Sequence, residues 1–354
     1  MAVKVILGLQ NGDEGKGRIV DDLCFKAEKP VVVRFQGGAN AGHTIYDEKG
    51  NKSVVHLLPS GVLNPNAINV ITRATVVDPI QLVEEIKQFN VQKGSLIVSP
   101  YCPVVMSWHI AEDKAKYQSK LGTTAKGIGP ALRDFYARDA MNINAWIQSF
   151  EYTEEAGILK DYIGNAEKFL QDHLSNMDIL LEGCQGYRLD IWGEEYPNVT
   201  SSCTTIGSVF YSTRLSHKQI DEVIGVAKIY ETKVGTGDFE ELDQELSEKY
   251  RSIGKEYGAT TGRPRKVGWL DLDLLKEAIQ VNGVDTLIIT KTDIPVQVGV
   301  LKIKTAEDFW EITELWNGNV DPLVALLKKI QFYTGVKNIG YTYGENRGCI
   351  AILN

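Results

Sequence analysis

Apolar residues fall into short runs rich in β-branched side chains at 3–9, 31–35, 68–77, 96–99, 179–181, 223–229 and 287–290. The runs are continuous rather than alternating, as expected of strands buried on both faces, and helical patterns separate them; the expected fold is α/β, with a mainly parallel sheet covered by helices. Asp78-Pro79 ahead of Leu82, Val83 and Ile86 reads as a helix start, with aspartate as the cap and proline in the first turn. Gly283 is placed to end a helix that begins near Asp271, and the polar stretch 142–176 reads as helices laid over the sheet. No repeat, low-complexity tract or Pro/Gly/Ser linker marks a boundary, and the length allows one large domain or two; the expectation carried forward is a single domain over residues 1–354.

Composition narrows the partners. The balance of 46 acidic against 38 basic residues, a net charge of -8, opposes broad attachment to nucleic acid or to an anionic membrane surface. An anionic ligand would need a locally positive pocket. Five scattered cysteines without CxxC spacing suggest neither a disulfide framework nor a zinc site. With no leader-like segment and no run of eighteen apolar residues, the expectation is a soluble, unprocessed, cytoplasmic protein.

Ligands of open parallel sheets bind beyond the carboxyl ends of the strands, so the glycine-rich and charged clusters should meet there. Gly8 to Gly17 follows the first apolar run and opens a helix through Ile19, Val20 and Leu23, a context in which backbone N–H groups can hold phosphate with Lys16 as a point charge. It is not a P-loop, because Gln10 and Gly17 replace its first glycine and its Ser or Thr. After the next run comes a second glycine-lined turn, Gln36 to Thr44. Together the two turns could set a carboxylate and an imidazole across one substrate.

Gly12-Asp13-Glu14-Gly15-Lys16-Gly17, Gln36-Gly-Gly-Ala-Asn40-Ala-Gly42-His43-Thr44, Gly122-Thr-Thr-Ala-Lys-Gly-Ile-Gly-Pro130, Glu182-Gly-Cys-Gln185-Gly, Val199-Thr-Ser-Ser, Gly258-Ala-Thr-Thr-Gly-Arg263-Pro-Arg265 and Thr290-Lys-Thr-Asp293 resemble, in order, the signatures of the adenylosuccinate synthetase family. The resemblance implies that family's P-loop-NTPase-like ligase fold and its reaction, IMP, GTP and L-aspartate giving adenylosuccinate, GDP and phosphate through a 6-phosphoryl intermediate. It also implies Asp13 as the base that takes the N1 proton, His43 and Lys16 on the transferring phosphate, and Mg²⁺ held by Asp13 and the carbonyl of Gly42.

The remaining assignments implied by the resemblance concern binding. GTP would contact Gly12, Glu14, Gly15, Lys16, Gly17, Gly42 and Thr44. Its guanine would be read by Lys291 and Asp293, since an aspartate can accept from both guanine N1–H and the 2-amino group, with Thr342 and Gly344 closing the other side. The purine nucleotide would meet Asn40, Thr124, Gln185, Thr200, Val234 and Arg263, plus Arg138 from a neighbouring subunit of a homodimer. L-Aspartate would be anchored by Thr260, Thr261, Arg263 and Arg265, whose guanidinium forks match its two carboxylates.

The chain departs from the family's usual residues at Asn11, Ala125, Arg73-Ala74 and Glu345-Asn346, and it is shorter than common members. It is in that respect similar to compact archaeal and phage forms, some of which use dGMP in place of IMP. Better-known members of that phage branch replace the first-loop aspartate and lose the guanine-reading Lys-x-Asp, whereas Asp13 and Asp293 are both present here, which favours IMP with GTP. A guanine-nucleotide-binding regulatory GTPase is the alternative from another class. Taken without the motifs, the 262–265 segment reads as a solvated basic turn leading into a helix at Trp269. His56, His109, His173 and His217 read as structural or surface residues.

Overall fold

The computed structural model describes residues 1–47, 49–258, 262–316, 318–344 and 347–353. Among them, nine strands form one sheet in the order Ile350–Leu353, Asn338–Thr342, Thr286–Thr290, Glu222–Lys228, Val3–Gly8, Asp178–Glu182, Pro30–Arg34, Ile68–Ile71 and Leu96–Val98. Every neighbouring pair is parallel except the edge pair of Asn338–Thr342 with Ile350–Leu353.

Successive residues of the central strands enter two different cores, which is why their sequence does not alternate. Val5, Leu7, Val31 and Val33 pack on one face. Ile6, Val32, Leu180 and Val226 pack on the other, against Ile19, Val20 and Cys24 of the helix Lys16–Lys26. The larger of these clusters draws on residues from Val3 to Tyr341.

The Glu222–Lys228 strand runs on into Tyr230–Lys233, the edge of a four-stranded sheet with Lys266–Asp271, Lys302–Lys304 and Phe309–Glu311. His43–Tyr46 and Lys52–Val55 form a separate hairpin. No helix among the described residues is long and apolar enough to cross a membrane.

Caps at both expected positions are present. Asp78 accepts from the N–H groups of Ile80 and Gln81 at 3.0 and 3.2 Å with Pro79 at the first helical position, and Asp271 accepts from Asp273 and Leu274 ahead of a helix ended by left-handed Gly283. The stretch 142–176 is helical, as expected.

Two expectations are corrected. The run 68–77 is not one strand: it ends at Ile71, and Thr72 turns the chain because its N–H and hydroxyl both bond to the carbonyl of Arg34, after which Val76 and Val77 bridge to Gly38 and Val104. Trp269 lies in the strand Lys266–Asp271, not in a helix, because the chain there pairs antiparallel with Tyr230–Lys233 and the helix starts only after the Asp271 cap.

The Asp78 cap supports the Pro79–Gln88 helix, which covers the 96–98 edge of the sheet. Asp78→Ala is expected to lower unfolding free energy by about 1 kcal/mol, read as a lower denaturant midpoint at unchanged slope; an unmoved midpoint would show that the cap contributes nothing.

Candidate functional site

The loop after Val3–Gly8 is built around one buried carboxylate. Glu14 accepts from the N–H groups of Gln10 and Gly12 at 3.1 and 2.8 Å and from Lys16 Nζ at 2.5 Å, and it is 1% exposed. Its own carbonyl accepts from the hydroxyl of Thr290, which ties the loop to the end of another strand.

The two departures from a P-loop have structural causes. Gln10 donates to the carbonyls of Lys228 and Tyr230 and accepts from the Lys228 N–H, stitching the loop to the strand that crosses into the second sheet. A side chain at residue 17 would run into His43 and Ser60, both within 2.8 Å of a Cβ built there, so only glycine lets the second loop approach.

That second loop delivers His43, whose Nδ1 lies 2.6 Å from Glu182 Oε1 at the end of a neighbouring strand. The other carboxylate oxygen of Glu182 accepts from the Ser60 N–H at 2.8 Å, fixing its orientation. Burial works against a charge on His43, but the fully buried Glu182 carboxylate outweighs it and pushes the imidazole up to about 9. Burial likewise opposes the charge on Glu182, and His43 together with Ser60 holds it below the usual carboxylate range. His43 is therefore an imidazolium at neutral pH.

The 122–127 loop is held from beneath by Asp113, which accepts from the Thr123 hydroxyl at 2.7 Å and the Gly127 N–H at 2.8 Å. Arg263 crosses to donate to the Gly122 carbonyl at 2.9 Å. Arg265, two residues further along, places one nitrogen 2.7 Å from Asp13 and another 2.5 Å from the buried Glu256. Lys291 takes a left-handed conformation at the end of Thr286–Thr290, and Asp293 begins the next helix.

All these elements face one cavity of about 680 Å³. Of the residues expected at the site, Gly12, Asp13, Glu14, Gly15, Lys16, Gly17, Asn40, Gly42, His43, Thr44, Thr124, Gln185, Thr200, Val234, Arg263, Arg265, Lys291, Asp293 and Gly344 line it. Thr342 does not: it is 1% exposed, and its carbonyl is bonded by Thr292 behind the wall. Arg138 lies outside it, exposed in a left-handed turn at the end of the helix Ile128–Ala137. Thr260 and Thr261 fall outside the described residues, as do Glu345 and Asn346.

Sequence reasoning missed Arg18, Lys52, Asp113, Tyr117, Arg133, Lys255, Tyr257 and Thr236, which also line the cavity. None lies in a glycine-rich signature; for Arg18, Lys52, Arg133 and Lys255 a positive charge on a negative chain was the only hint, and Asp113, Tyr117, Tyr257 and Thr236 gave none. The described lining carries eight lysines and arginines against four carboxylates, the local reversal of charge that an anionic ligand needs. Asn40 Oδ1 and Gln185 Oε1 are buried without a partner among the described residues and are available to donors from a ligand.

Three departures have visible consequences. Asn11 lines the cavity with both amide atoms buried and without a partner among the described residues. Ala125 adopts φ 54°, a conformation that favours glycine. Arg73 turns away, pairing with Glu167 at 3.1 Å and covering the Tyr101 ring, so it leaves the cavity unchanged.

Fold and site together define an α/β enzyme that handles anionic ligands at the carboxyl ends of a parallel sheet. Residues 5–156 and 145–314 match the family model described as adenylosuccinate synthetase. The adenylosuccinate synthetase of Halothermothrix orenii is 39% identical over 366 residues, covering 91% of this chain and 85% of that one, and that of Thermodesulfovibrio yellowstonii is 40% identical over 86% and 80%. Fully ligated Plasmodium falciparum adenylosuccinate synthetase superposes with a TM-score of 0.89 over all of both chains at 28% identity. Cyanophage S-2L succinoaminodeoxyadenylate synthetase, solved with dGMP and dATP, shares the fold at a TM-score of 0.77 and 22% identity, over 99% and 95% of the two chains.

The chain belongs to the adenylosuccinate synthetase family: it is a GTP-using ligase of purine biosynthesis.

The Glu182–His43 pair generates a pH prediction. Because folding raises the imidazole from 6.5 to about 9, its stabilising contribution is complete below the unfolded value and is lost as pH rises through the folded one. Glu182→Gln removes the opposing charge while burial remains, so an NMR titration of the ring should find His43 losing its proton well below 9 in the variant. An unmoved titration would show that Glu182 does not set the charge.

Proposed function

We propose that this chain, acting as a single domain in a homodimer, joins L-aspartate to C6 of IMP through a 6-phosphoryl intermediate, with GTP as phosphate donor. The observation that carries the reading is the convergence of Asp13, Lys16 and the charged His43 on one cavity that Arg263, Arg265 and Asp293 also line.

In this reading the Asp13 carboxylate takes the N1 proton of the hypoxanthine ring as O6 attacks the γ-phosphorus. Lys16, His43 and the amides of Gly15 and Gly17 meet the charge developing on the transferred group, in an arrangement that needs little reorganisation because Glu14 and Glu182 already fix the two side chains. The aspartate amine then displaces phosphate from C6, with its carboxylates held by Arg263, Arg265 and the 260–261 segment. Asn40, Thr124, Gln185, Thr200 and Val234 hold the purine nucleotide. Gly12, Gly42, Thr44 and Gly344 border the GTP, and Asp293 reads its guanine beside the stem of Lys291.

The donor set suits Mg²⁺. That ion takes one or two carboxylates and completes its shell with water and phosphate oxygens. The described residues contain no cluster of three or more His, Cys, Asp or Glu that would suit a metal held by protein alone, while Asp13, about one-third exposed, and Gly42 border the cavity. Asp13 and the Gly42 carbonyl would hold the ion, and it would neutralise phosphate charge. Arg138, exposed beside the exposed rings of Phe135 and Tyr136, suits a role across a subunit contact.

The reading is tested by phosphate release with GTP and L-aspartate, offering IMP in one reaction and dGMP in another and weighing the product. Turnover chiefly with dGMP would move the chain to the 2-aminoadenine branch, and release indifferent to aspartate would make it a regulatory GTPase. Asp13→Asn should leave nucleotide binding nearly intact and lower turnover about 10²-fold or more; near-normal turnover would remove Asp13 from the chemistry. Asp293→Asn should weaken GTP relative to ATP by roughly 1.5 to 3 kcal/mol through loss of a charge-assisted bond, and an unchanged preference would mean that guanine is read elsewhere.

A further inference from the structure

Glu256 is 0% exposed, is absent from the cavity lining, and belongs to none of the binding groups described above, yet its two neighbours Lys255 and Tyr257 both line the cavity. Its carboxylate gathers three donors: Arg265 Nη1 at 2.5 Å, the Tyr230 hydroxyl at 2.5 Å and Lys228 Nζ at 3.2 Å. Its backbone carbonyl accepts from the Arg265 N–H at 3.0 Å, so side chain and main chain grip the same residue.

A guanidinium is rigid and planar, and fixing one nitrogen fixes the direction in which the rest of the fork points. With Nη1 held by Glu256, the remaining edge of the fork, Nη2 and Nε, is fixed in direction where Arg265 borders the cavity. Nη2 meets Asp13 at 2.7 Å, and Nε is buried without a partner among the described residues. Nε and Nη2 are the two donors that can bind one carboxylate side-on through a pair of parallel hydrogen bonds.

We infer that Glu256 is a positioning residue for the amino-acid substrate: by holding Nη1 of Arg265 it turns the Nε–Nη2 edge into the cavity as a side-on seat for one carboxylate of L-aspartate. The inference rests on the proposed function and adds to it how one anchor of the dicarboxylate is aimed. A carboxylate whose only task was to balance buried charge would be served by Lys228 and Tyr230, without contact to a residue that reaches the cavity.

The test is steady-state kinetics of the full-length chain carrying Glu256→Gln, which keeps the shape and an acceptor but loses the charge, and Glu256→Asp, which keeps the charge at shorter reach. The KM for L-aspartate should rise roughly tenfold or more in the first variant, as misaimed catalytic and binding groups lose large factors. In the second it should rise severalfold. KM values for GTP and the purine nucleotide should stay within about twofold in both, because of the three partners of this carboxylate only Arg265 lines the cavity.

An unchanged KM for aspartate in a folded Glu256→Gln protein would overturn the inference, and so would a parallel rise in all three KM values, the mark of a merely structural role. Should Glu256→Gln fail to fold, Glu256→Asp decides alone: no selective rise in the aspartate KM overturns the inference. A wild-type chain whose phosphate release ignores L-aspartate would instead sink the functional reading beneath it.

Discussion

The site depends first on a carboxylate that never meets solvent. Glu14 closes the first loop on itself by accepting from Gln10, Gly12 and Lys16, and through its carbonyl it fastens that loop to Thr290. An unpaired buried carboxylate would cost several kcal/mol, so the loop has little choice but to wrap its donors inward. The surroundings are shaped to allow it. Any side chain at residue 8 or 186 would collide with Glu14 or with the backbone it organises, which explains glycine at both positions without appeal to flexibility.

The same device recurs twice more. Glu182 stands behind His43, and Glu256 stands behind Arg265, each carboxylate buried and each cation turned toward the cavity. Backing these three cations with buried anions lets a chain of net charge -8 present a positive cavity while Lys16, His43 and Arg265 each keep a counter-charge. It also fixes direction. Lys16, His43 and Arg265 are long or rotatable side chains that would otherwise point many ways, and the entropy of ordering them is met by the fold rather than at ligand binding.

Much of this was legible in the sequence, and for identifiable reasons. The uninterrupted apolar runs at 3–9, 31–35, 179–181, 223–229 and 287–290 gave the parallel sheet, because burial on both faces removes alternation. Asp78-Pro79 and Gly283 gave helix ends through local chemistry alone. Asn338–Thr342 and the edge strand Ile350–Leu353 were not legible: Gly340 is accommodated by a close approach of Ala351 and Ile352 that only the fold reveals. The second sheet escaped for a related reason, since Lys266–Asp271 is a strand only because Tyr230–Lys233 lies beside it. Motif residues were found because glycine marks close backbone approach; Asp113, Lys52 and Lys255 were not, because a charged residue on an ordinary helix or hairpin looks solvated until the chain is folded around it.

The link between Asp13 and Arg265 joins two tasks that sequence motifs present as separate. A guanidinium N–H aimed at Asp13 is not free to bond a second carboxylate along the same line, so in the proposed reaction the proton acceptor and the amino-acid anchor would share one donor edge. Glu256 keeps that edge in place whichever carboxylate occupies it, because its hold is on the opposite nitrogen. It follows that the effects of changes at residues 13, 256 and 265 cannot be summed. Removing Asp13 also alters what Arg265 faces, and removing the charge of Glu256 alters what Asp13 is held by. The three form one unit, whose energetics belong to the coupling between its members and are separable only by a double-mutant cycle.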